Sequence, residues 1–373
     1  MGVRATVDAV ATEKEASTPE LVESGRSASV AGRIRAALQQ IGFRFPVRYR
    51  VVWVALAMLM LFVGVTEPQT FGTTSMKLTT AYTGVLFTAT IGQILVVMVG
   101  GIDITVASIM TLSGAIVVRE SQGSNSKLFS AILIALAVAL GIGAVKAVLI
   151  VLLRLNALIV TLAMSGIITG GMLLWTGVSY SVNGNVPSSL HHFSTQSFGI
   201  LNYLGALSLG IGVVTALILR STKVGRSYVA AGTNPVAARI IGIPVTAYQM
   251  AAYMMASVLF AVAGIFLAGY LGSPDETLGS PYLLLTFVTI ALAGVSLSGG
   301  PASILCAAAS SFFLSLLDEY LDVRGVSGGA AELLQGIVLV LAVGAIAIAT
   351  NTRALLAWCA RFWRSRRRLR ARP

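Results

Sequence analysis

The side chains able to do proton, metal or redox chemistry are few and scattered. Two histidines stand side by side at His191-His192, and the two cysteines, Cys306 and Cys359, lie far apart, one in an apolar run and one in a basic tail. Neither pair has further ligands at workable spacing, so no metal site and no disulfide framework is expected. The main charges near apolar runs are Asp103, directly after a Gly100-Gly101-Ile102 interruption, and Lys146, toward the end of a later run. An acid in hydrocarbon is costly, so Asp103 must face the protein interior, a helix N-terminus or the membrane boundary. It is expected to cap a helix starting at Ile104, with Thr105 as its neighbour. Gln93, Asn156 and Thr161 are polar groups in apolar surroundings, and either line a passage or bond helix to helix. No phosphate loop ending in Gly-Lys-Ser/Thr, no His-Glu-x-x-His and no Gly-x-Ser-x-Gly occurs, so no catalytic residue is assigned and the chain is not expected to be an enzyme.

The elements that position these residues follow from composition. Of 373 residues, 56% are hydrophobic and 11% charged, where a soluble domain carries about a quarter charged. A bilayer crossing needs roughly 20 apolar residues. Ten runs are candidates: Val47–Thr66, Leu78–Val99, Ile104–Val118, Leu128–Val151, Leu155–Trp175, Ile200–Leu219, Val245–Leu271, Tyr282–Leu297, Ser303–Leu317 and Ala331–Ala349. The third, eighth and ninth are short, and eight crossings remain an alternative. The expected fold is an all-α polytopic membrane protein. Residues 1–46 read as a disordered cytoplasmic tail, 47–350 as the transmembrane domain, and 351–373 as a second, basic cytoplasmic tail.

Charge placement orients the spans. The formal net charge is +12, from 26 Lys and Arg against 14 Asp and Glu. With ten spans and both termini cytoplasmic, only Lys77, Arg119, Lys127 and Arg324 fall outside, as the positive-inside rule requires. The Arg361–Arg372 cluster is then explained by anionic lipid of the cytoplasmic leaflet, and nucleic acid is not expected as a partner.

The longest cytoplasmic connection, residues 220–244, reads as structured. Asn234 suits an N-cap, Pro235 the first helical position, and Gly242 a stop, giving a helix of about two turns. So short a helix must be held by packing on its own domain or on a partner. Val236 and Ile240 share one face, with Arg239 off it.

This segment resembles the coupling loop of membrane permeases in ATP-binding-cassette importers of the ribose/simple-sugar type. The residues that carry the likeness are Gly225-Arg226, Tyr228, Gly232-Thr233-Asn234, Ala237-Ala238-Arg239 and Gly242-Ile243. Gly100-Gly101-Ile102-Asp103-Ile104-Thr105-Val106-Ala107-Ser108 and Gly294-Val295-Ser296-Leu297-Ser298-Gly299-Gly300 resemble two further family blocks, in matching order. Ala107 stands where the family has Gly, and Pro301-Ala302 also departs from its pattern. The resemblance implies a permease of the bacterial cell membrane that works as a pair with a second permease chain. It further implies a separate ATP-binding subunit carrying ATP and Mg, and an external solute-binding protein. Coupling would then fall to Gly225, Arg226, Gly232, Asn234, Pro235, Ala237, Ala238, Arg239 and Gly242. A monosaccharide or sugar alcohol would pass near Gln93, Gly100, Gly101, Asp103, Asn156, Thr161, Ser296 and Ser298, with hydroxyl contact as the alternative role for Asp103. Asp275-Glu276 and Asp318-Glu319/Asp322 could meet the binding protein or be solvated loop ends. The competing reading is an ion-coupled secondary transporter or passive facilitator. The scarcity of charges in the spans weighs against ion coupling; a scaffold without transport is a third class.

Overall fold

Apolar runs of this length must satisfy their backbone internally, which in hydrocarbon leaves helices as the open-ended solution. The computed structural model describes residues 47–177, 185–326, 328–338, 340, 341 and 344, and these are almost wholly helical. In chain order the helices are α1 (Val47–Thr66), α2 (Thr73–Met98), α3 (Val106–Ser121), α4 (Leu128–Ala147) and α5 (Ala157–Thr176). There follow α6 (Ser188–Thr195), a two-stranded hairpin (Ser197–Phe198 with Leu201–Asn202), α7 (Tyr203–Ser221), α8 (Lys223–Thr233) and α9 (Pro235–Ile240). The last are α10 (Val245–Leu271), α11 (Ser280–Leu292) and α12 (Ile304–Val323), with residues 328–338 helical beyond them.

Seven of these helices are long and apolar enough to cross a membrane, among the described residues. The first and seventh expected runs coincide with α1 and α10. The third and eighth are short, as α3 with 16 residues and α11 with 13. The ninth is not short: α12 runs 20 residues. Its serines and acids broke the apolar run in sequence, but Ser310, Ser311, Ser315 and Glu319 are buried inside the protein. The tenth run, 331–349, lies partly outside the described residues, as do both expected tails.

Burial sorts the helices into a centre and a ring. The most apolar window of α2 is 83% buried, and those of α10 and α12 are 67%. The corresponding figures for α1 (17%) and for α4, α5 and α7 (22% each) leave apolar side chains facing outward, as lipid-facing helices do. Helix α2 packs against α10, α12, α7 and α11. Its threonines are tolerated there because their hydroxyls bond back along the helix, as Thr88 Oγ1 does to the Gly84 carbonyl at 2.8 Å. Close approach to α7 uses Gly84 and Gly205. A Cβ on Gly84 would stand 2.7 Å from the Leu204 carbonyl oxygen, and one on Gly205 the same distance from that of Thr80.

Two helix ends create the interior breaks. At the end of α2, Gly100 N–H donates to Val97 O at 2.9 Å and Gly101 N–H to Val96 O at 3.0 Å, with Gly100 at φ +78. The end of α11 repeats the pattern: Gly294 N–H to Ala291 O, Val295 N–H to Ile290 O, and φ +70 at Gly294. Both are Schellman caps, which need a residue free to enter the left-handed region. Helix α11 also begins inside the bundle, where Gly279 N–H donates to Thr111 Oγ1 at 3.0 Å.

Candidate coupling site and its link to the membrane breaks

The coupling segment is two helices, not one. Thr222 caps α8, its Oγ1 accepting the Gly225 N–H at 3.0 Å, and the segment folds back on the end of α7. Gly225 permits this, since a Cβ there would stand 2.0 Å from the Ile218 carbonyl oxygen. The inward face of α8 is Gly225, Tyr228, Ala231 and Gly232. That i, i+3, i+6, i+7 spacing is a helical signal in the sequence, muted because three of the four residues are glycine or alanine. Tyr228 donates its hydroxyl to the Leu95 carbonyl and stacks edge-on with Tyr248. Burial, and secondarily Tyr253, pushes the Tyr228 pKa up, so the hydroxyl stays a donor.

Helix α9 forms as the capping residues dictate. Asn234 Oδ1 accepts the Ala237 N–H at 3.0 Å, Pro235 occupies the first turn, and Gly242 with Ile243 closes the C-terminus. Ala238 is its one buried residue, packed with Ala231 and Val245. Val236 and Ile240 point the other way, 67% and 81% exposed, and Ala237, Arg239 and Ile241 are exposed as well. A six-residue helix therefore holds itself to its own domain through one alanine and presents an aliphatic face outward. Arg226 is exposed and donates to the Ser221 carbonyl at 3.1 Å.

The three sequence blocks meet in space. A Cβ on Gly232 would stand 1.9 Å from the Met98 carbonyl oxygen, so α8 lies directly on the end of α2. That same oxygen accepts the Gly300 N–H at 3.0 Å. A Cβ on Gly299 would stand 2.7 Å from the Gly232 oxygen and 3.3 Å from the Gly100 nitrogen. Main chain touches main chain at each contact, which leaves no side chain to absorb a displacement.

The other candidates are dispersed. Asp103 is fully buried: its Oδ1 accepts the backbone N–H (2.9 Å) and hydroxyl (2.6 Å) of Thr105, and its Oδ2 pairs with Lys146 Nζ at 2.6 Å. Lys146 also donates to Thr105 Oγ1 at 2.6 Å. The sequence places Lys146 toward the end of an apolar run; it is fully buried in α4, and 43 residues of separation hide its partner. Asn156 is exposed and caps α5, accepting the Leu158 N–H at 2.9 Å. Thr161 is buried and bonded to the Ala157 carbonyl at 2.8 Å. Gln93 is also fully buried, yet neither amide atom finds a partner among the described residues. Gly100 and Ser298 are exposed, Ser296 is half-buried, and Gly101 is buried against the Tyr253 hydroxyl.

At the other end of α12, Asp318, Glu319 and Asp322 line a cavity of about 320 Å³ with Tyr82, Tyr282 and Ser315. Asp318 accepts from Gln335 Nε2 at 2.7 Å. Asp275 is turned onto its own loop, accepting from Thr277. His191 Nδ1 lies 2.9 Å from the Gly269 oxygen, which docks α6 on α10, and His192 lies beside Gln196.

A polytopic helical protein with interrupted central helices and a short outward helix pair is organised as a membrane transport subunit. Residues 75–343 match the family described as branched-chain amino acid transport system / permease component, and the chain belongs to that family. It is 30% identical to the ribose import permease protein RbsC of Escherichia coli K12 over 78% of this chain and 91% of that one. It is 30% identical to the autoinducer 2 import system permease protein LsrC of Yersinia enterocolitica, covering 76% and 79%, and 32% identical to LsrC of Enterobacter sp., covering 68% and 74%. No solved structure matches the chain. It is a multi-pass permease of the cell membrane.

Proposed function

We propose that this chain is the membrane-spanning subunit of an ATP-binding-cassette importer for a monosaccharide or sugar alcohol. The observation that carries the reading is the outward aliphatic face of α9, Val236 and Ile240, set one helix away from the Gly232–Met98 contact. An exposed apolar face on a polar loop suits a groove on a partner subunit. In this reading the ATP-binding subunit holds ATP and Mg and grips α9 when it closes. The push passes through α8 to Met98, and from there to both Schellman breaks as a rigid-body shift. The chain itself performs no chemistry. A second permease chain and an external solute-binding protein complete the complex.

The relatives named for ribose support a monosaccharide over the amino acids in the family description. Of the path candidates, Gln93 is the best supported, because a buried amide without partners is paid for only if something else uses it. Proteoliposomes carrying the assembled complex test the reading. Solute uptake should require hydrolysable ATP and stop with a non-hydrolysable analogue. Uptake that continues with hydrolysis blocked would assign the chain to secondary or passive transport instead.

A further inference from the structure

A cavity of about 420 Å³ opens where the end of α2, the α4–α5 connection and the start of α10 meet. It is lined by Gly100, Gly101, Arg154, Arg239, Gln249 and Tyr253 among others, and no acidic residue is among its lining. Neither guanidinium has a hydrogen-bond or ion-pair partner among the described residues. Arg154 is placed with care. It has φ +56, between a π-helical turn (Val148–Leu152) and the Asn156 cap of α5. A left-handed conformation is uncommon for a side chain of this size and must be imposed by the surrounding fold.

Two unpaired guanidiniums facing one polar space supply forked donors of the kind that hold phosphate oxygens. What borders them indicates the source of the phosphate. Leu152, Leu153, Leu155 and Leu158 beside Arg154 are all exposed. A site for a soluble anion has no use for exposed aliphatic flanks, whereas a headgroup brings acyl chains that cover them.

We propose that this cavity is a phosphate site filled by the headgroup of an anionic phospholipid. The lipid would lie beside the coupling helix, with its phosphate between Arg154 and Arg239 and its chains along the leucines of the α4–α5 turn. The site does not depend on which solute is carried.

Native mass spectrometry of the full chain, released from nanodiscs of phosphatidylglycerol or phosphatidylcholine, tests this. The parent should retain phosphatidylglycerol about tenfold better than phosphatidylcholine, whose headgroup keeps the phosphate but adds a quaternary ammonium that two guanidiniums repel. Arg154→Gln and Arg239→Gln should each erase that preference, and Arg154→Lys should keep part of it. Arg220→Gln, at an exposed arginine outside the cavity, should leave it intact. Equal retention of the two lipids by the parent, which needs no variant to fold, would overturn the proposal. So would unchanged retention in Arg154→Gln. Binding of inorganic phosphate or glycerol phosphate with no lipid retained would overturn the lipid assignment and give the same guanidiniums a soluble ligand.

Discussion

The main-chain oxygen of Met98 accepts the Gly300 N–H at 3.0 Å, and Gly232 of the coupling segment packs against that same carbonyl. One atom thus joins the two interrupted helices of the membrane region to the helix pair outside it. Because all three partners are backbone, the junction transmits displacement instead of yielding by rotamer changes.

Gly232→Ala should therefore be far more damaging than its chemistry suggests. The new methyl meets the Met98 carbonyl at 1.9 Å, and backbone must move. A loss of about 1–3 kcal/mol and a severe fall in uptake are expected. Gly141→Ala is the control: nothing lies within 4 Å of its Cβ position. It should be neutral or gain up to about 1 kcal/mol from helix propensity. Thermal unfolding in detergent, beside uptake in vesicles, compares the two; equal effects would remove the close contact from the account.

The Asp103–Lys146 pair should behave as a unit. Asp103→Asn or Lys146→Met alone leaves a buried charge without its partner, costing about 3–5 kcal/mol. The double variant Asp103→Asn/Lys146→Met should recover much of that loss. Additive single effects in a double-mutant cycle would mean that the two side chains do not interact in the folded protein.

Gln93→Leu should separate stability from transport. Removing a buried amide with no partner is expected to stabilise the fold by about 1–3 kcal/mol while lowering uptake. A variant both more stable and fully active would take Gln93 off the path.

Much of the fold was legible because lipid demands long apolar runs, and α1 and α10 could be bounded to the residue. The capping signals of α9 were equally plain, since Asn234, Pro235 and Gly242 act locally. Four features were not legible, each for a physical reason. Helix α12 looked short because its polar residues are satisfied or buried inside the bundle, where hydropathy does not see their surroundings. Helix α8 was missed because its packing face is largely glycine and alanine. The partnership of Lys146 with Asp103 depends on α4 packing against the α2–α3 break, and no local pattern encodes a contact between elements 43 residues apart. The direction of Ala238 was likewise hidden. Its burial means that substitutions there disturb the segment itself, so the docking test belongs on Val236 and Ile240.

The central claim is that the outward face of α9 is where force from an ATP-binding subunit enters this chain. The most direct measurement is ATP-driven uptake, with co-purification of the ATP-binding subunit, for Val236→Asp/Ile240→Asp beside the parent. Both side chains are exposed, so membrane insertion and thermal stability should not change. The account predicts that the subunit no longer co-purifies and that uptake falls to background. Retained association with undiminished uptake would contradict it.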